Sequence, residues 1–598
     1  MSEQFDLGFD PDALREKYQI ERDKRVRDDA NDQYIEVKGD FSHYIDDPYL
    51  QEVIERDALA DEVEVVVIGG GFGGLLAGAR LREAGVEDIR MIEKGGEFGG
   101  TWYWNRYPGA ACDIESYVYL PLLEEVGYMP KRKYASGTEI RAYTQKLARK
   151  FDLYRDALFQ TEVTELHWQE ESQRWLVQTN RGDRILARFV AMSNGPLNRP
   201  KLPGIPGIDT FNGHTFHTSR WDYSYTGGSA EGELDGLKDK RVAIIGTGAT
   251  AVQCVPHLGA AAKQLYVFQR TPSSIDVRAD RPTDEDWYQN LPEGWHQERM
   301  DNFNILVSGG VQKEDLVKDG WTEIIRNLLF LVQSEDEPDM SPAALSEKME
   351  LADFQKMEAI RARAQEIVND PETAESLKPY YRQFCKRPCF HDDYLPTFNR
   401  PNVKLIDTQG VGVEAITENA VIANGERFEV DCIIFATGFE VGTGYARRSG
   451  YELFGRDGVS LSEKWQDGVK TLHGMHSHGF PNCFIMGNTQ TAFTANYPHA
   501  LNEQSIHLAY IVTQCLNGNH KVVEALPEAE QAWVAQIVEL ARVNIGYLES
   551  CTPGYYNNEG KPLERALQNS NYGAGPVKFF ELMQAWREAG ELEGLKLS

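Results

Sequence analysis

The chain has 598 residues, too many for one ordinary hydrophobic core, so two or three domains are expected. Hydrophobic residues make up 41% and charged residues 26%, no apolar run approaches membrane-spanning length, and the acidic start MSEQFDLGFD is unlike a signal peptide, which predicts a cytoplasmic globular protein. A formal charge of −30 argues against non-specific nucleic-acid or anionic-membrane binding and leaves room for a local basic pocket that holds a phosphate.

Residues 1–60 are polar and heavily charged; LREKYQIERDKRVRDD predicts a solvated helix and the rest an arm wrapping the body. VEVVVIGGGFGGLLAGARL then gives a buried strand over 63–68, a glycine turn and a helix. Gly69, Gly71 and Gly74 fill the positions of G-x-G-x-x-G. There the backbone turns tightly, approaches a pyrophosphate and lets the helix pack on the strand, with the anion at the helix N-terminus. The next strand, IRMIEK, ends near Glu93, placed to accept hydrogen bonds from a ribose diol. RVAIIGTGATAVQCV repeats the design with Gly246, Gly248 and Ala251. Its second strand, KQLYVFQRT, ends in Gln269, Arg270 and Thr271 instead of an acid. A guanidinium and a hydroxyl suit a ribose 2′-phosphate, which a carboxylate would repel. FAD in the first site and NADP(H) in the second is the economical assignment.

Between residues 280 and 380, TEIIRNLLFLV and FQKMEAIRARAQEIV have helical spacing and predict a helical insertion in the second domain. A strand-rich tract from VKLID to CIIF follows, and its turn ATGF (Ala436–Phe439) is expected to close the FAD domain. The expected fold is α/β, with two Rossmann-like dinucleotide-binding domains. An arm covers 1–60, the FAD domain 61–196 and 431–598, and the NADP domain 197–430. Eight cysteines run from Cys112 to Cys551 without a Cys-x-x-Cys, and Cys385 and Cys389 are the closest pair. That scatter predicts a reducing compartment, with neither a metal site nor a redox dithiol.

Two further stretches are rigidly spaced. FNGHTFHTSRWD, between the nucleotide motifs, carries Phe211, Gly213, His217, Trp221 and Asp222 in the order F-x-G-x-x-x-H-x-x-x-W-(P/D). GGTWYWNRYPGAACDIES (99–116) carries Gly100, Trp102, Tyr107, Pro108, Gly109 and Asp113. From about residue 60 to the C-terminus the chain resembles the Baeyer–Villiger monooxygenases, and its charged arm resembles the branch acting on large cyclic or steroid-like ketones. The resemblance implies that NADPH reduces FAD, O₂ adds to the flavin as a peroxide, and a ketone becomes an ester or lactone. It also implies residue roles. Arg387 faces the peroxide and Asp113 orients it, while Lys386 assists Arg270 at the 2′-phosphate. Cofactor contacts extend to Thr101, Trp102, Asp113, Tyr119, Thr247, Gly248, Ala249, Thr250, Ala251, Thr271 and Arg387.

His217 has two readings, a catalytic base or a hinge coupling the domains with Trp221; its place on the connector favours the hinge. The chain departs from the family pattern at Ala111, where many relatives carry arginine. It also has no tryptophan between Trp533 and Trp586, around ESCTPGYYNNEGK. NADP is then gripped differently, or the substrate pocket is wider. A rival reading is an N- or S-hydroxylating flavin monooxygenase, whose fingerprint lacks the Trp221–Asp222 ending. A disulfide reductase would need a cysteine pair in the FAD domain, and a non-catalytic flavin sensor would not turn over ketone. Partners are a small ketone and O₂, and the sequence leaves monomer and homodimer both open.

Overall fold

Two sheets organise the protein, each begun by an apolar strand that runs into a glycine turn. We describe them from a computed structural model covering residues 8–323, 326, 342–542, 545–561 and 564–598. In the first sheet, Ala60–Ile68 lies between Ile89–Ile92 and Arg184–Met192 and is parallel to both. Val65, Val66 and Val67 are buried, as a central parallel strand covered on both faces requires. Helix Phe72–Glu83 buries Leu75, Leu76 and Leu81 on that sheet and packs on the long helix Tyr497–Asn517. Val163–Gln169 and Arg174–Thr179 extend the sheet antiparallel, and Cys483–Ile485 returns late in the chain to pair with Arg184–Met192. The first domain is therefore built from both ends of the sequence.

The second sheet has five parallel strands in the order Val403–Asp407, Gln264–Gln269, Arg241–Ile245, Cys432–Phe435, His214–His217. This corrects one expectation. CIIF does not close the FAD domain: Val242 pairs with Cys432 and Ile245 with Phe435, so the second domain extends past residue 430. A four-residue apolar strand carries no mark of which sheet it joins. The connector FNGHTFHTSRWD also supplies a strand that the sequence reading did not assign: His214–His217 is the edge strand, with His217 opposite Phe435. Between Gln264–Gln269 and Val403–Asp407 lie the helices Glu285–Gln289, Trp295–Val307, Pro342–Ile367 and Pro371–Ser376. FQKMEAIRARAQEIV begins in Pro342–Ile367, whereas TEIIRNLLFLV falls mostly outside the described residues.

The arm clasps both domains. Its helix Pro11–Asp23 is not solvated all round: Tyr18 is buried against Phe354, ring centroids 5.2 Å apart, and its hydroxyl accepts from Arg361 at 2.9 Å. One aromatic among many charges is enough to anchor one face. Tyr34–Ile35 pairs antiparallel with Leu202–Pro203, and Tyr44 donates to Thr215 Oγ1 at 2.8 Å. The cysteine expectation also needs correction, because Cys385 forms a disulfide with Cys551, 166 residues away. Its sequence neighbour Cys389 is free and buried. No helix of the described residues is long and apolar enough to cross a membrane.

Gly213 shows why the edge strand begins as it does. A Cβ there would stand 2.5 Å from the Phe211 ring and 2.6 Å from the Asp431 carbonyl oxygen, a backbone atom that cannot swing aside. Gly213→Ala should therefore destabilise the protein by about 1–3 kcal/mol, the usual cost of overpacking. Denaturant unfolding measures this, and an unchanged midpoint would show that the strand start is free to shift.

Candidate active site

Both glycine turns open on one cavity of about 1970 Å³, lined from both sheets, the arm and the C-terminal region. At Gly74 a Cβ would lie 1.8 Å from the Gly69 carbonyl oxygen, so only glycine lets the helix sit this close to its strand. Helix Phe72–Glu83 begins at Gly71 with no side-chain cap, which leaves its first-turn N–H groups for an anion. Glu93, buried, accepts from Gly70 N and Gly95 N at 2.6 Å each, so the acid also braces the turn. Helix Ala249–Ala261 begins uncapped at Gly248, beside which a side chain would meet nothing within 4 Å. Each turn thus fits a pyrophosphate. Thr247 Oγ1 donates to the Thr271 carbonyl at 2.8 Å, while Ala249 and Thr250 line the cavity and Ala251 packs in the core behind them.

Thr101, Trp102 and Tyr119 line the same cavity, with Trp102 Nε1 donating to the Tyr119 hydroxyl at 3.0 Å. From the next turn of this segment Asp113, 4% exposed, meets Arg387 in a bidentate pair: Nη1–Oδ2 2.6 Å and Nη2–Oδ1 2.5 Å. Burial alone would lower the Arg387 pKa, but the Asp113 carboxylate more than reverses this and holds it well above its ordinary value. The guanidinium is a fixed cation. Nη1 also donates to Pro388 O at 3.2 Å, which leaves Nε–H and one Nη2–H without a partner among the described residues. Arg387 lines the cavity, so those donors remain for an oxygen there.

Sequence reading missed Trp321. Its indole Nε1 donates to the Asp113 carbonyl at 3.1 Å, and the Arg387 guanidinium lies 5.8 Å from its ring. The insertion therefore touches the ion pair directly. Nothing local marks this tryptophan out from the others in the chain.

Arg270 and Lys386 stand in another corner with Thr271. Burial, and then the neighbouring Arg270 charge, push the Lys386 pKa down to about 8. Residues that the sequence did not nominate close this corner. Gln33 Oε1 and the Tyr34 hydroxyl accept from Arg270 at 2.6 and 3.4 Å, and Glu559 lies 3.3 Å from it. Lys386 Nζ donates to the Pro553 carbonyl at 2.9 Å. The C-terminal loop, tryptophan-free as noted, thus reaches this corner through Pro553 and Glu559.

The two fingerprints meet across the domain junction. Arg220 stacks on the Trp104 ring at 3.9 Å, and Trp221 N donates to the Tyr49 hydroxyl at 3.0 Å. Tyr107 donates to Gln253 Oε1 at 2.8 Å, and Gln253 Nε2 returns to the Ala111 carbonyl at 2.8 Å. Trp221 is buried beside Phe216, and Asp222 caps a short helix by accepting from Ser224 N at 2.9 Å. His217 is fully buried and does not line the cavity; its Nδ1 accepts from Ser219 N at 3.2 Å. Burial, aided by Arg220, pushes its pKa down to about 3, so the ring is neutral at ordinary pH. A base acting on cavity contents would have to face them, and His217 does not.

Comparison with known proteins agrees with this geometry. The pyridine nucleotide-disulphide oxidoreductase family matches residues 66–302. The chain is 55% identical to neopentalenolactone D synthase of Streptomyces avermitilis, over 98% of this chain and 99% of that protein. It is 48% identical to a Baeyer–Villiger monooxygenase of Streptomyces coelicolor, over 96% and 95%. Its fold superposes on the polycyclic ketone monooxygenase of Thermothelomyces thermophila with a TM-score of 0.91 at 37% identity, covering 98% and 99% of the two chains. The two uncapped glycine turns, the arginine held by Asp113 on the cavity they share and these relatives lead to one conclusion: the chain belongs to the Baeyer–Villiger monooxygenases, flavoenzymes that use FAD and NADPH to convert ketones into esters or lactones.

Proposed function

We infer that the site converts bulky cyclic ketones into lactones, with Arg387 as the catalytic group and Asp113 as its positioning partner. The observation that carries this reading is the bidentate pair that fixes Arg387 on the wall of the one large cavity onto which both dinucleotide turns open. The relatives named for neopentalenolactone D and for polycyclic ketones support a bulky cyclic substrate. FAD, when bound, supplies the oxygen-activating chemistry, and NADPH supplies the hydride. Gly69, Gly71 and Gly74 would hold the first pyrophosphate, with Glu93 toward its ribose. Gly248, Thr250, Arg270, Thr271 and Lys386 would hold NADP, the last three around its 2′-phosphate.

The protein's own part in the oxygenation is electrostatic. Asp113 keeps Arg387 charged and fixed, so the guanidinium does not act as an acid. Its two N–H groups without a partner among the described residues would meet negative charge that develops on oxygen in the cavity. A preorganised donor in a site sheltered from water favours that charge far more than the neutral ketone, which is the condition for rate enhancement. Trp321 limits how far Asp113 can move. The fingerprint, through Arg220 on Trp104, would couple the two domains, with His217 a buried part of that coupling element.

The decisive test is Arg387→Ala. Hydride transfer needs only the two cofactors stacked, so NADPH should still bleach the flavin without oxygen. Ester formation should fall on the order of 10²–10³-fold, the usual effect of removing one such donor. Ketone turnover within a few-fold of wild type would assign the task to another residue.

Lys386 makes a second, pH-dependent prediction. Its ammonium is charged below about pH 8 and neutral above, so its attraction for a 2′-phosphate is complete at pH 7 and fades as pH rises. The Kd for NADP⁺ should weaken on the order of tenfold between pH 7 and 9.5, and that for NAD⁺ should not. Lys386→Met should bind NADP⁺ weakly and flatly with pH, and Lys386→Arg tightly and flatly. A wild-type profile without slope would take Lys386 out of the phosphate corner.

A further inference from the structure

The Arg270 corner holds an acid that an anion-binding site should avoid. Glu559 Oε2 stands 3.3 Å from Arg270 Nη2, and the Glu559 side chain is only 4% exposed. It lines the cavity together with Arg270, Lys386 and Lys201. The nearby cation Arg25 has its own partner, Glu21, at 2.8 Å. Among the described residues Glu559 is the only carboxylate within ion-pair distance of Arg270. The other acceptors on the guanidinium, Gln33 and Tyr34, are neutral and come from the arm.

The loop is built to present this acid. Asn557 ties it together: Oδ1 accepts from Gly554 N and Gly560 N, and Nδ2 donates to the Cys551 carbonyl. Asn558 and Glu559 both have positive φ, 50° and 55°, a conformation that a residue with a Cβ rarely adopts. The disulfide to Cys385 and the bond from Lys386 Nζ to Pro553 fasten the same loop beside Arg270. A carboxylate at a ribose is a feature of sites for the unphosphorylated cofactor, because it accepts from the 2′-hydroxyl and repels a phosphate. Here it sits on the arginine that marks the opposite preference.

We propose that Glu559 is a specificity-determining residue: its carboxylate competes with the 2′-phosphate of NADP(H) for the Arg270 guanidinium and so limits how strongly the enzyme prefers NADP(H) over NAD(H). The inference rests on the assignment of Arg270 to the 2′-phosphate. Two anions cannot share one guanidinium without mutual repulsion, so the phosphate must take Arg270 from Glu559. Part of its attraction is spent in breaking the internal pair. NAD(H), with a hydroxyl at that position, leaves the pair intact and bears no such cost. The acid therefore narrows the gap between the two cofactors, and its removal widens it.

The test is equilibrium binding of NADP⁺ and NAD⁺ to the oxidised, FAD-loaded enzyme, followed by calorimetry. Glu559→Gln keeps the size of the side chain and removes its charge. It should tighten NADP⁺ by about five- to tenfold and leave NAD⁺ within about twofold. Glu559→Asp, one methylene shorter, should give a smaller gain in the same direction, and it supplies the answer if the Gln variant fails to retain flavin. Arg270→Ala should sharply reduce the preference for NADP⁺, and adding Glu559→Gln to it should bring a smaller gain than the same change in the wild type. If Arg270→Ala behaves so but Glu559→Gln binds NADP⁺ no tighter than wild type, the competition is refuted and the phosphate assignment stands. If Arg270→Ala keeps the wild-type preference, the phosphate assignment itself is wrong.

Discussion

The Asp113–Arg387 ion pair is the constraint on which the site depends. Its partners are 274 residues apart and come from different halves of the architecture. Asp113 follows the first glycine motif, whereas Arg387 lies between the helical insertion and strand Val403–Asp407. A bidentate contact of 2.5–2.6 Å tolerates little movement, so both domains must be complete and docked before it forms. With Asp113 buried and Arg387 partly exposed, the pair adds little net stability against its desolvation cost, but losing Arg387 leaves the buried carboxylate stranded. Its value here is positional: it fixes a cation at the cavity wall and fixes which of its N–H groups stay free.

Around that pair, the two fingerprints act as one joint. Trp104 of the first offers its ring to Arg220 of the second, and Tyr107 and Ala111 hold Gln253 on the helix of the second nucleotide turn. The spacing that looks excessive for a linker is explained by these duties. Gly213 starts an edge strand against Asp431, His217 pairs across from Phe435, Trp221 fills the core beside Phe216, and Asp222 caps the next helix. Burial also removes His217 from proton chemistry, because an imidazole with its pKa near 3 stays neutral throughout the working range.

The ends of the chain complete what the domains leave open. The arm brings Gln33 and Tyr34 to Arg270 and Tyr49 to Trp221, while the C-terminal loop brings Pro553 to Lys386 and Glu559 to Arg270. The corner around Arg270 and Lys386 is thus furnished by two terminal segments. One of these is tied to the catalytic stretch by Cys385–Cys551, next to Lys386 and Arg387. The loop that reaches Arg270 and the backbone that carries Arg387 are consequently mechanically linked.

The sequence by itself determined the two nucleotide turns, because their requirements are local. An apolar strand, glycines where a Cβ would strike the neighbouring backbone, and a helix N-terminus without a cap all lie within about twenty residues of chain. It also determined the acid at one strand end and the arginine at the other, and the family resemblance drew Asp113 and Arg387 into one role. Tertiary structure alone decided which sheet CIIF joins, that FNGHTFHTSRWD is an edge strand, and that Cys385 pairs with Cys551 and not with its neighbour Cys389. It alone placed Trp321 beside Asp113 and Arg387, and Glu559 on Arg270. These are contacts between residues far apart in sequence, each of an ordinary type at an ordinary position. No local periodicity or spacing encodes them, and they exist only once two domains, an arm and a terminal loop have closed on the same cavity.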